Sequence, residues 1–166
     1  MCGFKEISPY EIENALKLIG KDWMLITVPD KDGANGMTAS WGCLGVLWNK
    51  PVAVCFIRPQ RYTFELTKNT DKLSIAFFNE EYRDALRLCG TKSGRDCDKL
   101  KLAGLTTADC DGIPVINEAK LVLTCRKLYV GRIEESGFVD ASLLENYKAH
   151  DYHSMYVLEI EKALAK

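Results

Sequence analysis

Two separate stretches of the chain carry side chains suited to binding phosphate. In "IRPQRYT" (57–63), Arg58 directly follows an apolar run, and Arg61 and Thr63 stand where a helix is predicted to begin. A helix N-terminus offers unpaired N–H groups, and arginine adds a planar pair of donors. The ordinary alternative is that Thr63 only caps the helix while both arginines are solvated. Taken alone, this stretch favours the ordinary alternative.

The second stretch is "SGRDCDK" (93–99). It offers Ser93, Arg95 and Lys99 as further phosphate donors, and Gly94 permits a close approach of the backbone. A solvated surface loop of mixed charge would have the same composition. The presence of two such stretches in one small chain nevertheless favours an anion-binding site more than either stretch does alone.

The string "NGMTASWG" (35–42) has the composition of a surface that holds a flat ligand. As a strand, it would place Met37, Ala39 and Trp41 on one face and Thr38 and Ser40 on the other. The alternative is a half-buried strand with the indole in the core. Flanking glycines and adjacent hydroxyls favour ligand contact, because planar ligands are bound by aromatic surface and small polar donors. One planar ligand with a phosphate tail would use all three stretches.

Hydrophobic periodicity places these stretches in a mostly β chain. Six strands are predicted, at 23–28, 37–44, 52–57, 72–78, 119–133 and 153–164. Helices are predicted between them, the first beginning at a capping box, "SPYE", and running through Ile19 to Gly20. Regular alternation of strands and helices is missing, so a doubly wound parallel sheet is not expected. The prediction is a single domain, residues 1–166, built as an antiparallel β-barrel with peripheral helices.

Composition limits the classes of partner. The 166 residues carry 22 basic and 23 acidic side chains, mixed along the chain, which argues against nucleic acid or anionic membrane as partners. No apolar run is long enough for a membrane span, and the N-terminus lacks the apolar segment of a signal peptide. Seven cysteines without a CxxC pair predict a reducing, cytoplasmic location, and no metal site is expected from their spacing.

Taken in order, "NGMTASWG", "RPQRYT", "LSIAFF", "EEYRDAL" and "SGRDCDK" resemble the flavin reductase-like family of FMN-binding split barrels, in its flavoredoxin branch. The resemblance covers about residues 8 to 161. It implies an antiparallel, six-stranded Greek-key split barrel with FMN as cofactor and NADH or NADPH as electron donor. It also implies a homodimer with the flavin near the interface.

The resemblance implies a role for each candidate residue. The residues implied at the isoalloxazine and ribityl chain are Asn35, Thr38, Ala39, Ser40 and Trp41. Those implied around the phosphate end are Arg58, Arg61, Tyr62 and Thr63, with Ser93, Arg95 and Lys99 completing the phosphate site. The flavin carries the chemistry, so no catalytic side chain is required. His153, where the family often has a histidine, is a weak candidate, and a structural role is equally open.

The predicted function is an FMN-dependent NAD(P)H:acceptor oxidoreductase. Two alternatives stay open: an electron carrier that a partner protein reduces, and a non-redox module that binds another flat ligand. The residues identify neither the acceptor nor the preferred nicotinamide. Cys43 lies two residues after Trp41, where packing is favoured over a redox role. A regulatory disulfide between Cys89 and Cys97 is conceivable but not favoured.

Overall fold

β-Strands form the frame of the molecule, in a computed structural model that describes residues 3–31 and 33–166. The strands are β1 (Lys5–Ile7), β2 (Met24–Asp30), β3 (Gly33–Ala39), β4 (Gly42–Leu47), β5 (Lys50–Ile57), β6 (Lys72–Phe77), β7 (Thr107–Cys110), β8 (Ile113–Ile116), β9 (Leu121–Arg132) and β10 (Ser154–Ala165). The α-helices are α1 (Ala15–Lys17), α2 (Tyr62–Leu66), α3 (Arg83–Thr91) and α4 (Lys99–Leu102). Among the described residues, no helix has the length and apolar character that a membrane crossing needs.

Tighter and wider helical turns supplement the α-helices. The 3₁₀ turns are Pro9–Glu11, Thr67–Asn69, Glu80–Tyr82, Glu135–Gly137 and Ala141–Tyr147, and a π-helical turn, Leu18–Asp22, follows α1. The turn at Ala141–Tyr147 lies between β9 and β10, where a short helix is predicted. The helices therefore stand around the sheet and do not alternate with its strands.

The main sheet is antiparallel and has eight strands, in the order β3-β2-β6-β9-β10-β5-β4 with β1 added at β10. Its two edge strands, β3 and β4, are consecutive in the chain and are joined only by Ser40 and Trp41. Three Cα–Cα steps reach at most about 11 Å, so the two edges must come close together. The sheet therefore curls into a barrel that is split along one line, the seam between β3 and β4. The predicted split-barrel fold is confirmed.

Strand β2 separates two apolar cores. Ile26 points into the barrel, where it packs with Leu123 and Leu158, whereas its neighbour Leu25 points outward and packs under α3 against Leu86. Adjacent strand residues face opposite sides, so one strand supplies both cores. The outer core holds α3 against the barrel beside β3, which brings the two phosphate-suited stretches toward the seam.

The structure has ten strands where six are predicted, because one predicted strand is two and because β1, β7 and β8 were not predicted. The chain leaves the sheet at Ser40 and Trp41, so 37–44 divides into the end of β3 and the start of β4. The segment 29–36, predicted as a loop, is mostly strand, and Asp30 pairs with Gly33. The hairpin of β7 and β8 was also missed. Its turn, Asp111-Gly112, has positive φ at both residues, as a two-residue hairpin turn requires.

The N-terminal helix is predicted wrongly beyond its first turn. The capping box between Ser8 and Glu11 is confirmed, but it caps only the 3₁₀ turn Pro9–Glu11. Asn14 then takes a left-handed conformation, with φ of 56°, which interrupts the helix before α1. Leu16, predicted on the buried face, is 91% exposed. Gly20 lies inside the π-helical turn and does not end the helix.

Candidate functional site

An open cleft lies along the seam of the barrel. This seam cleft has a volume of about 420 Å³. Its lining residues are Met37, Thr38, Ala39, Ser40, Trp41, Phe56, Arg58, Gln60, Arg61 and His153. Trp41 is 47% exposed, so the indole is not sealed in the core. Because Ser40 and Trp41 belong to neither edge strand, their amide groups lie outside the registers of the sheet. The cleft therefore combines aromatic surface with polar main chain.

The two hydroxyls in this segment have different surroundings. The Thr38 Oγ1 donates to the Leu86 carbonyl oxygen of α3 over 2.6 Å, which fixes β3 against that helix. The Ser40 hydroxyl makes no hydrogen bond within the part of the chain that the structure describes. Ser40 is therefore the hydroxyl of the pair that remains for a ligand, while Thr38 lines the cleft with its hydroxyl already engaged.

His153 closes one side of the seam cleft as a neutral group. Its ring lies 5.3 Å from the Trp41 ring, centroid to centroid, and its Nδ1 lies 2.9 Å from the Tyr147 hydroxyl oxygen. Burial, with a smaller contribution from the positive charge of Arg58, lowers the pKa of His153 to about 4, although Asp151 opposes the shift. At neutral pH the imidazole is uncharged and can exchange hydrogen bonds without adding charge to the cleft.

Arg58 lies at the seam cleft, and its charge is already neutralised. Its guanidinium forms an ion pair with Asp151, donates to the Asn146 carbonyl oxygen over 2.9 Å and lies over the Tyr147 ring. Hydrogen bonds from Arg58 and Gln60 lower the pKa of Asp151. The structure places Arg58 in the seam cleft, beside Arg61, and pairs it with Asp151, far along the chain.

A smaller cavity of about 140 Å³ adjoins the seam cleft and shares Met37, Gln60 and Arg61 with it. This cation cavity is built from the start of α2, the end of α3 and the loop before α4. It brings together six predicted residues from two distant stretches: Arg61, Tyr62, Thr63, Ser93, Arg95 and Lys99. The sequence-based pairing of these two stretches into one site is thus matched by the geometry.

Lys99 is a buried cation without a counter-ion. The residue is 5% exposed, and its Nζ donates to the Cys89 carbonyl oxygen over 3.2 Å. No carboxylate among the described residues pairs with it. Burial lowers its pKa, and the nearby charge of Arg61 adds to that effect. Burial also raises the pKa of the Cys89 thiol to about 11, so that thiol stays neutral and supplies no compensating charge.

Arg61 is the second cation of this cavity without a carboxylate partner among the described residues. Its guanidinium donates to the Gly90 carbonyl oxygen over 2.7 Å, and burial together with the charge of Arg58 lowers its pKa. A buried charge is unfavourable unless it is paired. Lys99 is buried and Arg61 is half-buried, so the two cations give this small cavity a positive charge suited to an anion.

Arg95 and Tyr62 form a fixed rim on this cavity. The Arg95 guanidinium donates to Glu65 Oε1 over 2.6 Å and to the Gln60 carbonyl oxygen over 3.2 Å, and it lies over the Tyr62 ring. The Tyr62 hydroxyl donates to Asp30 Oδ1 over 3.1 Å. Because Glu65 already offsets its charge, Arg95 contributes less unpaired positive charge than Lys99 does.

Thr63 and Asn35 take positions that the sequence did not predict. Arg61 is the N-cap residue of α2, so Thr63 lies in its first turn and is not the cap. The Thr63 Oγ1 accepts a hydrogen bond of 2.9 Å from Asn35 Nδ2. Asn35 is 4% exposed and lies outside the lining of the seam cleft. It supports the cation cavity through Thr63.

Several lining residues were missed from the sequence. Phe56 and Gln60 line the seam cleft, and Thr91 and Lys92 line the cation cavity. Gln60 stands inside the stretch already selected, so its neighbours gave a usable signal. Phe56 gave none, because one apolar residue in a wholly apolar strand does not reveal which face it takes.

Comparison with known proteins places this geometry in a family. Residues 17–164 match the family model described as the flavin reductase like domain. The chain belongs to this family. That membership confirms the resemblance seen in the sequence and makes the protein one of a family of flavin-binding oxidoreductases. No curated protein sequence gives a significant match.

Solved structures agree with the fold. A flavoredoxin from Methanosarcina acetivorans superposes with a TM-score of 0.68 at 23% identity, covering 87% of this chain and 68% of that chain. An FMN-binding domain of a flavin reductases-like enzyme from Shewanella baltica gives 0.70 at 17% identity, covering 98% and 77%. An NADH:FAD oxidoreductase of Streptomyces globisporus gives 0.65 at 16% identity, covering 87% and 75%. At such identities the likeness shows the fold alone.

Proposed function

We propose that this protein is an FMN-binding oxidoreductase that passes electrons from reduced nicotinamide, through bound flavin, to a second acceptor. The observation that carries the proposal is a pair of cations, the buried Lys99 and the half-buried Arg61, at one end of a cleft whose other end holds an exposed indole. A flat ring joined to a phosphate by a short chain fits both features, and the family membership supports a flavin.

Different residues would bind the phosphate and the ring of the flavin. Lys99, Arg61 and Ser93 would hold the phosphate, while Trp41 and the main chain of Ser40 would hold the ring. The bound FMN supplies hydride acceptance and electron transfer, which protein side chains cannot provide. Main-chain N–H groups beside Trp41 would stabilise negative charge on the pyrimidine edge, as fixed donors do wherever an anion develops.

Neutral His153 has a place in this arrangement. Tyr147 engages Nδ1, and Nε2 has no hydrogen-bond partner among the described residues. The ring can therefore exchange a hydrogen bond with a substrate in the seam cleft at Nε2. Arg58 and Asp151 compensate each other at the same wall, so the cleft gains rigidity there without gaining net charge.

The second candidate is an electron carrier that a partner protein reduces. It is favoured by the likeness to a flavoredoxin structure and by the exposure of Trp41, which leaves the ring end accessible to another protein. Both candidates use the same cofactor site and differ only in the electron donor. A non-redox module binding another flat ligand is the third, and it is excluded if the protein binds flavin.

The test is a flavin spectrum followed by rapid mixing under anaerobic conditions. Purified protein loaded with FMN is mixed with NADH and, separately, with NADPH, and the flavin absorbance is followed. Bleaching at a saturable rate supports the oxidoreductase. A protein that binds FMN but is bleached by neither nicotinamide, and only by a reduced protein donor, is the carrier. Failure to bind FMN at all would remove both redox candidates.

The proposed assembly is a homodimer with the flavin near its interface, in the cytoplasm. Exposed apolar side chains on β9 and at the β4–β5 hairpin support an interface: Val46, Leu47, Trp48, Tyr129 and Val130. One outward row crosses four neighbouring strands at Cys43, Val54, Val157 and Tyr129.

The six described cysteines are free, which suits a reducing compartment. Light scattering during gel filtration distinguishes a dimer from a monomer.

A further inference from the structure

Tyr147 lies next to His153 in an aromatic cluster beside the seam cleft. It ends the 3₁₀ turn Ala141–Tyr147 and is buried, with 6% of its surface exposed. Its ring stacks on Tyr152, with 4.9 Å between the ring centroids and 24° between the planes, and the Arg58 guanidinium lies over it at 5.3 Å from the centroid. These contacts fix the ring of Tyr147, and with it the position of the hydroxyl oxygen beside His153 Nδ1.

The Tyr147 hydroxyl keeps its proton and has one neighbour that can accept it. Burial raises the pKa of Tyr147 above that of a free tyrosine, so the hydroxyl is protonated at neutral pH. Among the described residues, the one polar atom within hydrogen-bond distance of this hydroxyl is His153 Nδ1, 2.9 Å away. His153 is uncharged at neutral pH, and a neutral imidazole carries a proton on one nitrogen only. Two arrangements of this contact are therefore to be compared.

Hydrogen-bond satisfaction decides between the two arrangements. If His153 donated from Nδ1 to Tyr147, the buried hydroxyl proton would have no acceptor within the part of the chain that the structure describes, which is unfavourable. If Tyr147 donates to Nδ1, the hydroxyl is satisfied and the imidazole proton lies on Nε2. The second arrangement is favoured, so His153 is the Nε2–H tautomer.

The Nε2 atom of His153 reaches the seam cleft. In residues 3–31 and 33–166, the buried side-chain nitrogen and oxygen atoms without a hydrogen-bond partner are Thr27 Oγ1 and Asp151 Oδ1. His153 Nε2 has no partner either, so it is accessible at the surface, and the cavity that His153 lines is the seam cleft. The Trp41 ring stands beside it, with 5.3 Å between the ring centroids. This wall thus combines an uncharged N–H donor with flat aromatic surface.

We propose that Tyr147 is a positioning residue that fixes His153 as the Nε2–H tautomer, so that the seam cleft offers an uncharged donor to the carbonyl oxygen of a planar second substrate. The inference rests on the proposed function and adds the chemical class of the substrate. A carbonyl oxygen accepts from an N–H group without needing a counter-charge, which suits a wall where Arg58 and Asp151 neutralise each other. The Trp41 indole suits an aromatic or conjugated carbonyl compound.

Nitrogen NMR on the full chain tests the tautomer without a flavin. The chain has two histidines, so His150→Gln leaves the signals of His153 alone. In this background, proton–nitrogen correlations at neutral pH should show a protonated Nε2 and an unprotonated Nδ1. Tyr147→Phe keeps the ring and removes the hydroxyl, so it should raise the share of the Nδ1–H tautomer. Tyr152→Phe removes the hydroxyl of the stacked ring, which makes no hydrogen bond to His153, and should leave the tautomer unchanged.

Benzamide binding to the FMN-loaded protein tests the substrate class. Benzamide should shift the Nε2–H signal of His153, because its carbonyl oxygen accepts that proton. His153→Phe keeps a ring and removes the donor, so benzamide should bind about fivefold more weakly, as for the loss of one neutral hydrogen bond. Titrations that follow the benzamide signals measure both affinities, and Tyr152→Phe should keep the wild-type affinity.

Three results would overturn the inference: a proton on Nδ1 of His153 with Tyr147 intact, tautomer shares that Tyr147→Phe does not change, or equal benzamide affinity in the wild type and His153→Phe. The first needs no variant of Tyr147, so it decides even if Tyr147→Phe does not fold. Protein that does not bind FMN would contradict the proposed function itself. That failure is distinguishable, because the tautomer is measured without flavin.

Discussion

The seam cleft and the cation cavity meet at Arg61 but are built on opposite principles. In the cation cavity, Lys99 and Arg61 donate only to carbonyl oxygens and have no carboxylate partner within the described residues, so a bound anion would be favoured there. At the seam cleft, Arg58 and Asp151 neutralise each other, His153 is uncharged and Trp41 is half exposed. One end thus provides affinity for a charged tail, while the other offers an accessible neutral surface where a second molecule can approach.

The largest expected effect is at Lys99. Lys99→Met should lower FMN affinity by about 1.5–3 kcal/mol, the range for hydrogen bonds to charged groups, and leave riboflavin affinity unchanged because riboflavin lacks the phosphate. The unliganded variant should be more stable than wild type in urea, since an unpaired buried ammonium is removed. Fluorescence titrations with both ligands measure the first effect. Lys101→Met, at an exposed position on the same helix, is the control, and equal losses for both ligands would remove Lys99 from the phosphate site.

An intermediate effect is expected at Trp41. Trp41→Leu should weaken FMN and riboflavin equally, by about 1 kcal/mol, because an aromatic contact with the ring is common to both ligands. The same titrations measure it. Tyr10→Leu, which replaces another exposed aromatic residue away from the seam, should change neither affinity. A loss confined to FMN would show that the two ends of the site are not separable.

The last expected effect concerns pH, and it is measured on stability and not on ligand affinity. An unfolded histidine takes up a proton near pH 6.5, whereas folded His153 does so only near pH 4. Between these values the unfolded state binds more protons, so stability falls as pH is lowered through this window, with a slope of at most about 1.4 kcal/mol per pH unit. Urea unfolding at pH 7, 6 and 5 should show a shallower decline for His153→Gln than for wild type. His150→Gln, at the exposed histidine, should keep the wild-type decline; equal slopes for all three would contradict the assignment.

Sequence patterns predicted the fold where the signal was local. The long strands β9 and β10 have continuous periodicity, and the box at Ser8 and Glu11 joins neighbouring residues. The helix beyond it could not be predicted, because nothing in its apolar spacing shows that Asn14 turns left-handed. The hairpin at Asp111-Gly112 carried a usable turn signal. The two edges of the barrel were read as one strand, because a break at Ser40 is forced by closure of the sheet and not by local preference.

The candidate site shows the same difference between what local sequence predicts and what long-range contacts decide. Arg61 and Arg58 are equivalent in sequence, three residues apart beside one helix start. Asp151, 93 residues after Arg58, pairs with Arg58 and neutralises its charge. Arg61 has no such partner among the described residues and remains available to a ligand. Lys99 was identified by its loop, but its burial depends on packing that the loop does not reveal. Type and spacing therefore selected two segments that the fold brings to one cavity, and long-range partners decided which charges stay available.

The two-residue connection at Ser40 and Trp41 has a consequence for how this protein can vary. Covalent reach limits how far the barrel can open there, whatever the core contains. Substitutions inside the barrel can change the shape of the opening between β3 and β4. Only a longer connection between these two strands would allow a wider separation. Chain length at this one point therefore sets the widest ring that the opening can admit.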